Sequence, residues 1–414
     1  MKKYTEKQST MPMPTWETLE AFVREHIQAL IQQVLEEEVT AFLGREKHVR
    51  RQAVDGHRGY RNGFGKPRRV TLQGGTIEVR RPRLRGLEER FESRILPLFR
   101  RRTAAVGEAM RELYLHGLAQ GDFTLALRGL LGEGAPLSAA SVARLQGKWQ
   151  AEYDQWCMRR LDDRELVYAW LDGVYVKAGL EKEKAALLVV IGAMSDGRKE
   201  VLAVTPGYRE SVESWAGVLR DLQDRGPAAP KLVVADGNFG AWGAIAQLWP
   251  ETAEQRCWNH KILNVLDKLP KRVQSQARSF LTEIPYAPSR AEAEKKRDVF
   301  IRRYGRDYPE AARCLCDDWE RMVTFYQFPK EHWRHIRTTN VVESPFAAVR
   351  LRTGAAKRFK KRANATALIW KVLMVAEKRF RKLNAPELMA QVCAGYSFED
   401  GKPIANHQHV KVAA

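Results

Sequence analysis

Cysteine is scarce in this 414-residue chain, and the five present (Cys157, Cys257, Cys314, Cys316 and Cys393) are odd in number. That fits a reducing compartment, and a cytoplasmic location is expected. No run approaches 18 consecutive apolar residues, so no membrane partner is expected. The first 20 residues, MKKYTEKQSTMPMPTWETLE, carry two lysines with no apolar stretch behind them, so no secretory signal is read. A phosphate-cradling glycine loop ending in Lys-Ser/Thr is also missing, and ATP dependence is not indicated. Acidic residues are the minority, 50 against 70 Lys and Arg, for a net charge of +20.

The excess positive charge is segregated. Residues 45–102 hold 18 Lys/Arg against 6 Asp/Glu, a local +12, and residues 350–382 hold 12 against 1, a local +11. The rest of the chain therefore sums to −3. Two separate basic blocks flanking a slightly acidic middle read as surfaces for a polyanion. Solvated charged faces are the plainer alternative for either block alone.

Apolar spacing divides the chain. Residues 1–44 contain an amphipathic helix over 15–44, with Leu19, Phe22, Val23, Leu30, Ile31, Val34 and Leu35 on one face and Gly44 as its stop. Core packing and self-association are both open uses for it. Residues 45–102 form a basic β-rich region, with RRVTL and TIEVR as a hairpin around Gly74-Gly75. Tyr60 and Phe64 alternate there with Arg58, Arg61, Arg68 and Arg69, followed by Arg80 and Arg81, a mixture suited to phosphate contacts and some stacking. Residues 103–165 return to helical spacing and resemble a helix-turn-helix with Ser138 as a cap.

From 166 to 260 the pattern is strand, strand, strand, helix, strand, helix, strand. A meander of three followed by alternating helix and strand is the order of the ribonuclease H-like fold, so the predicted class is α/β. Residues 261–335 are helical and charged and read as an α-helical insertion. Residues 336–403 carry Glu343 and basic helices, and 404–414 form a tail.

Three acids stand out. Asp172 closes the run LVYAWLD, Asp236 closes KLVVAD, and Glu343 lies in RTTNVVESPF. The first and fourth strands are neighbours in such a sheet, so the two aspartates meet, and Glu343 on a later helix completes the group. Gathered carboxylates suit a hard divalent cation such as Mg²⁺ and its phosphodiester chemistry. Duller readings exist: each Asp-Gly pair is also ordinary turn chemistry. Asn340-x-x-Glu343 has capping-box spacing, although Pro345 then falls inside the helix. Ser344 as N-cap with Pro345 first in the helix is the other start. Cys257 and His260 form CxxH, half a zinc set. It would need Cys314 and Cys316, or His332 and His335, and none stands at a familiar finger spacing, so no zinc is expected.

Taken together, GYRNGFGKPRRVTLQGGTIEVRRPRLRG, LDGVYVK, PGYRESVESWAGVLRDLQDRG, LVVADGNFGAWGAI, QRCWNHKILNVLDKLPK and TTNVVESPFAAVRLRT resemble the linked segments of the Mutator-like bacterial insertion-sequence transposases. The resemblance runs from about residue 35 to about 403. It implies a DDE transposase using Mg²⁺ or Mn²⁺, with Asp172, Asp236 and Glu343 as catalytic metal ligands and Cys257, His260 and Asn340 in the supporting motif. Double-stranded DNA is the implied partner, both terminal inverted repeats and target, bound by a homodimer or larger multimer. Residues 45–150 would bind the repeats. Arg350, Arg352, Lys357, Arg358, Lys360 and Lys361 would grip DNA near the cut. A non-catalytic DNA-binding protein derived from such an element is the alternative from another class, and a structure-selective nuclease of the same fold is a third.

Overall fold

The computed structural model describes residues 13–49, 59–118, 122, 126–128, 131–132, 135, 139–177, 185–207, 210–237, 239–356, 359 and 361–404. Arg58, Ser138, Lys357, Arg358, Lys360 and most of the first helix of the helix-turn-helix reading lie outside them. The chain divides into two units, Met1–Leu145 and Gln146–Ala414.

In the first unit, helix Leu19–Leu43 stops at Gly44, whose φ of 63° is the left-handed conformation a glycine adopts without penalty. Strands β1 (Tyr60–Leu72) and β2 (Gly75–Arg85) pair antiparallel with Leu72 opposite Gly75, so the turn is Gln73-Gly74, one residue earlier than the sequence suggests. The helix lies along β2 and completes its hydrogen bonds. Gln32 accepts from the Arg80 N–H at 2.9 Å and donates to the Arg80 carbonyl at 3.0 Å, while Gln28 accepts from the Glu78 N–H at 2.9 Å. Two glutamines thus occupy an otherwise open strand edge. Leu35, Ile77, Val79 and Leu96 form the core beneath. Only part of the predicted apolar face is covered in this unit, because Leu19, Val23 and Leu30 are exposed.

The second unit is a mixed α/β structure built on five strands: β3 (Leu166–Val176), β4 (Ala185–Met194), β5 (Lys199–Gly207), β6 (Leu232–Ala235) and β7 (Ala253–Arg256). All five expected strands are present. Their order is β5-β4-β3-β6-β7; β4 runs antiparallel to both β3 and β5, and β3, β6 and β7 run parallel. Residues alternate across the sheet. Ala169 and Leu171 of β3 join Trp215, Leu219 and Trp242 from helices Val212–Asp224 and Phe239–Leu248 in one core. Tyr168 and Trp170 point the other way. Tyr168 Oη lies 2.9 Å from His332 Nδ1, and Trp170 Nε1 donates to the His335 carbonyl at 2.9 Å.

Helices fill the chain from Trp258 to Ile336 and separate β7 from helix Asn340–Ala356, which carries Glu343. Among the described residues, no helix is long and apolar enough to cross a membrane.

Candidate active site

Strand pairing delivers the first elements of the site. Leu171 of β3 is the parallel partner of Ala235 in β6, and Ala235 is the partner of Arg256 in β7. The next residues along the three strands are Asp172, Asp236 and Cys257. They therefore stand side by side at one end of the sheet, with neighbouring strands about 4.8 Å apart. The Cys257 N–H donates to the Ala235 carbonyl at 2.8 Å, which holds the third position in line.

Contrary to the apolar pattern, Asp172 does not close its strand, since β3 continues to Val176 in pairing with β4. What ends at Leu171 is the pairing with β6, so Asp172 sits where one edge of β3 opens. Asp236 directly follows β6 and precedes Gly237, whose φ of 103° makes a tight exit turn. A Cβ at Gly237 would lie 2.2 Å from Arg256 Nε, so this glycine also allows the Arg256 guanidinium to close over the turn. Arg256 is held from behind by Asp318 at 2.6 Å.

Cys257 starts helix Trp258–Leu266, which carries His260 on its first turn. The segment before helix Asn340–Ala356 docks onto it: the Trp258 N–H donates to the Arg337 carbonyl at 3.1 Å, and the Thr339 N–H donates to Cys257 Sγ at 3.3 Å. The Thr339 hydroxyl lies 3.1 Å from Cys257 Sγ, 3.4 Å from His260 Nδ1, and in short contact with Glu343 Oε1. With one proton to donate, it favours the charged carboxylate. His260 Nδ1 is 3.7 Å from the same Glu343 oxygen.

Neither predicted helix start is what the chain adopts. The helix begins at Asn340, and the N–H groups of Val342 and Glu343 both donate to the Thr339 carbonyl at 3.0 Å. Asn340 forms no capping box with Glu343; its Oδ1 accepts from Asn259 Nδ2 at 2.9 Å. Pro345 lies inside the helix, so Ser344 is not its N-cap. Packing of the Thr339 segment against Cys257 and Trp258 overrides the local signals that would have started the helix later.

The electrostatics report the convergence. Burial pushes the Asp172 carboxyl up to about 7, reinforced by the like charges of Asp236 and Glu343 and opposed by the Gly173 N–H and by His260. His260 is pushed up to about 9, chiefly by its interaction with Cys257 and then by the charges of Glu343 and Asp236. At neutral pH it is an imidazolium beside the carboxylates. Asp172, Asp236, His260 and Glu343 are all half-buried, anchored by the core yet reachable from solvent.

Potential ligand atoms of Cys257, His260 and Glu343 lie within 4.8 Å of one another. The third member is Glu343 rather than any cysteine or histidine that spacing nominated. A zinc ion there would have to displace the proton that His260 holds at neutral pH. Asp172, Asp236 and Glu343 are hard oxygen donors of the kind Mg²⁺ or Mn²⁺ takes, but among the described residues their carboxylate oxygens do not all come within 4.8 Å of one another as the ligand atoms of the Cys257 trio do.

Sequence reasoning did not single out Glu210, Tyr175 or Thr339. A Cβ at Gly173 would meet Glu210 Oε1 at 2.2 Å, so the glycine beside Asp172 admits this further carboxylate to the strand end. Glu210 hydrogen-bonds Tyr175, whose hydroxyl is pushed up by burial and by that neighbour. The signal was available in PGYRESVES, where Glu210 stands just ahead of the helix-capping Ser211.

The predicted DNA-contacting residues divide by exposure. Arg69, Arg80, Arg350 and Lys361 are exposed. Arg61 donates to Thr40 Oγ1 and the Arg45 carbonyl, Arg68 to the carbonyls of Pro97 and Arg100, and Arg81 to the carbonyl of Phe91. These three brace the first unit internally. Arg352 is only 2% exposed and does not present a guanidinium to a polyanion.

The family model described as "Transposase, Mutator family" matches residues 2–382. The chain is 45% identical over 297 residues to the transposase for insertion sequence element IS6120 of Mycolicibacterium smegmatis, covering 72% of this chain and 92% of that protein. It is 44% identical over 280 residues to the transposase for insertion sequence element IST2 of Acidithiobacillus ferrooxidans, covering 67% and 95%. The transposase for ISRM5 of Rhizobium meliloti is 27% identical over 369 residues, covering 87% and 89%.

Proposed function

The chain belongs to the Mutator family of transposases, and from that premise we propose that Asp172, Asp236 and Glu343 form a DDE-type centre that cuts and joins DNA at the ends of an insertion sequence. The observation that carries this reading is geometric: strand pairing sets Asp172 and Asp236 side by side, and docking of Thr339 on Cys257 brings Glu343 to the same end of the sheet. Such a cluster is short of positive charge.

Asp172 and Asp236 would hold a divalent cation from adjacent strand ends, and Glu343 from the helix opposite. When bound, the cation supplies charge stabilisation for the attacking and leaving oxygens of an in-line displacement at phosphorus. The Thr339 hydroxyl fixes the Glu343 carboxylate in one orientation. The His260 imidazolium, 3.7 Å from Glu343 Oε1, offsets part of the negative charge. In the first step water attacks a phosphodiester at an element end, a P–O bond forms, and the 3′-oxygen leaves as a free hydroxyl. In the second step that hydroxyl attacks a target phosphodiester and displaces its 3′-oxygen. Neither step needs a covalent enzyme intermediate.

The strand order, with antiparallel β3-β4-β5 and parallel β3-β6-β7, supports reading the sheet as ribonuclease H-like, with the helical stretch 261–335 as its insertion. Exposed Arg69, Arg80, Arg350 and Lys361 would contact phosphates, and pairing of two element ends would require at least a dimer. The test is incubation of labelled element-end duplex with protein and Mg²⁺ or Mn²⁺. Wild type is expected to cut and join, whereas Asp172→Asn, Asp236→Asn and Glu343→Gln are expected to bind and do neither. Cleavage by the substituted proteins would remove these residues from the centre.

A further inference from the structure

A cavity of about 640 Å³ opens beside the segment leading into Thr339, and aromatic and basic side chains line it. Tyr286 ends the short turn Ile284–Tyr286 and is 70% exposed. The Arg337 guanidinium covers one face of its ring, with Cζ 3.8 Å from the centroid. Arg337 is fixed there by donating to the Pro285 carbonyl at 3.0 Å. The other face of the tyrosine is left to solvent, which is unusual for a ring already held rigid on one side. Trp333 forms part of the wall and is itself pinned by an Nε1 donation to the Phe328 carbonyl at 2.8 Å.

Charge points to the class of ligand. Lys330, Arg334 and Arg337 line the cavity, and Glu331 is the one acid among the lining residues. Arg334 and Arg337 are close enough to repel one another. Three cations against one acid, around a rigid aromatic face, match a phosphate joined to a planar base. The volume suits one nucleotide unit.

The cavity is also tied to the candidate active site. The backbone carbonyl of Arg337 accepts from Trp258, beside Cys257, and Thr339 follows two residues later. Trp170 of β3 reaches the carbonyl of His335 on the same short helix, Trp333–Ile336.

We propose that this cavity takes an unpaired nucleotide of the DNA strand engaged at the carboxylates, its base stacking on the open face of Tyr286 and its phosphate lying at Lys330 and Arg334. The proposal rests on the DNA-joining reading for the source of the strand, and a free mononucleotide is the other source of the same chemistry. The experiment compares the full chain on a blunt element-end duplex, on the same duplex with a five-nucleotide single-stranded extension carrying 2-aminopurine, and on dAMP. The extension is expected to tighten binding about tenfold and to quench the fluorophore by stacking. Tyr286→Ala and the double substitution Lys330→Glu/Arg334→Glu should remove both effects, leaving blunt-duplex affinity and melting temperature unchanged. Tyr286→Trp should keep them.

Equal affinity of wild type for the two duplexes, or quenching that survives Tyr286→Ala, would overturn the proposal. So would dAMP competing away the extension effect at micromolar concentration, which would assign the cavity to a free nucleotide. A protein that cuts and joins DNA but shows no preference for the extension keeps the transposase centre and loses this site. One that prefers the extension through Tyr286 but never cleaves does the reverse.

Discussion

Thr339 and Glu343 are joined twice across one helical turn: the Glu343 N–H donates to the Thr339 carbonyl at 3.0 Å, and the Thr339 hydroxyl meets Glu343 Oε1. The backbone bond starts the helix and the side-chain contact aims its first acid. Thr339→Val keeps the shape but removes the hydroxyl. It should lower the rate of DNA cleavage by about 10- to 100-fold, the usual effect of removing a partner that orients a ligand. DNA affinity should not change, and Thr339→Ser should restore the rate. Equal losses from valine and serine would mean that the hydroxyl does not orient Glu343.

Asp172 is held at the expense of stability. Its folded value of about 7 lies above the ordinary 3.8, so the folded state binds the proton more tightly. The associated stability is full below pH 3.8 and is lost as pH rises through 7. At pH 8 the buried charge opposes folding by up to about 4 kcal/mol. Asp172→Asn should therefore raise the melting temperature of metal-free protein at pH 8 and make little difference at pH 4, while abolishing cleavage. Added Mn²⁺ should raise the wild-type melting temperature more than that of the variant. A variant less stable than wild type at pH 8 would contradict this account.

His335 behaves in the opposite sense. Burial pushes its imidazole down to about 4, outweighing the contact of Nε2 with Asn384 Oδ1 at 3.1 Å, which favours a protonated Nε2. The folded value lies below the ordinary 6.5, so this contribution is present above pH 6.5 and is lost as pH falls through 4. His335→Gln should flatten the decline in melting temperature between pH 6.5 and 4. Parallel acid profiles for the two proteins would show that His335 does not titrate in unfolding.

Basic residues of the same type should separate by exposure. Arg69→Gln with Arg80→Gln should reduce the slope of log affinity against log salt by about 0.9 for each DNA phosphate left un-neutralised. Arg352→Gln should leave that slope unchanged and lower the melting temperature, because its side chain is interior. A flattened slope with Arg352→Gln would place that residue at the interface.

Most of the β-sheet unit was legible in the order of its residues, because buried strands need continuous runs of Val, Leu, Ile, Trp and Tyr bounded by turns. The apolar runs at 166–176, 185–194 and 232–235 mark β3, β4 and β6, with Asp172 visible as a charge within the first run and Asp236 just after the last. The helix start at Asn340 was not legible. Asn340, Ser344 and Pro345 all carry local signals, and packing against residues about 80 positions away overrides them. Exposure of arginines was equally hidden, since Arg350 and Arg352 differ by two positions on one helix and face opposite environments.

By itself the sequence determined the strand-rich middle, the segregation of positive charge and the acids available for chemistry, since these follow from composition and short-range period. Only the tertiary structure decided which groups meet. Pairing of Leu171 with Ala235 and of Ala235 with Arg256 lines up Asp172, Asp236 and Cys257, and docking of Thr339 on Cys257 brings Glu343 to them. Register and long-range packing are cooperative properties of the whole sheet and its helices, so no local stretch of sequence encodes them. Glu210 over Gly173, and the imidazolium of His260 among the acids, exist for the same reason.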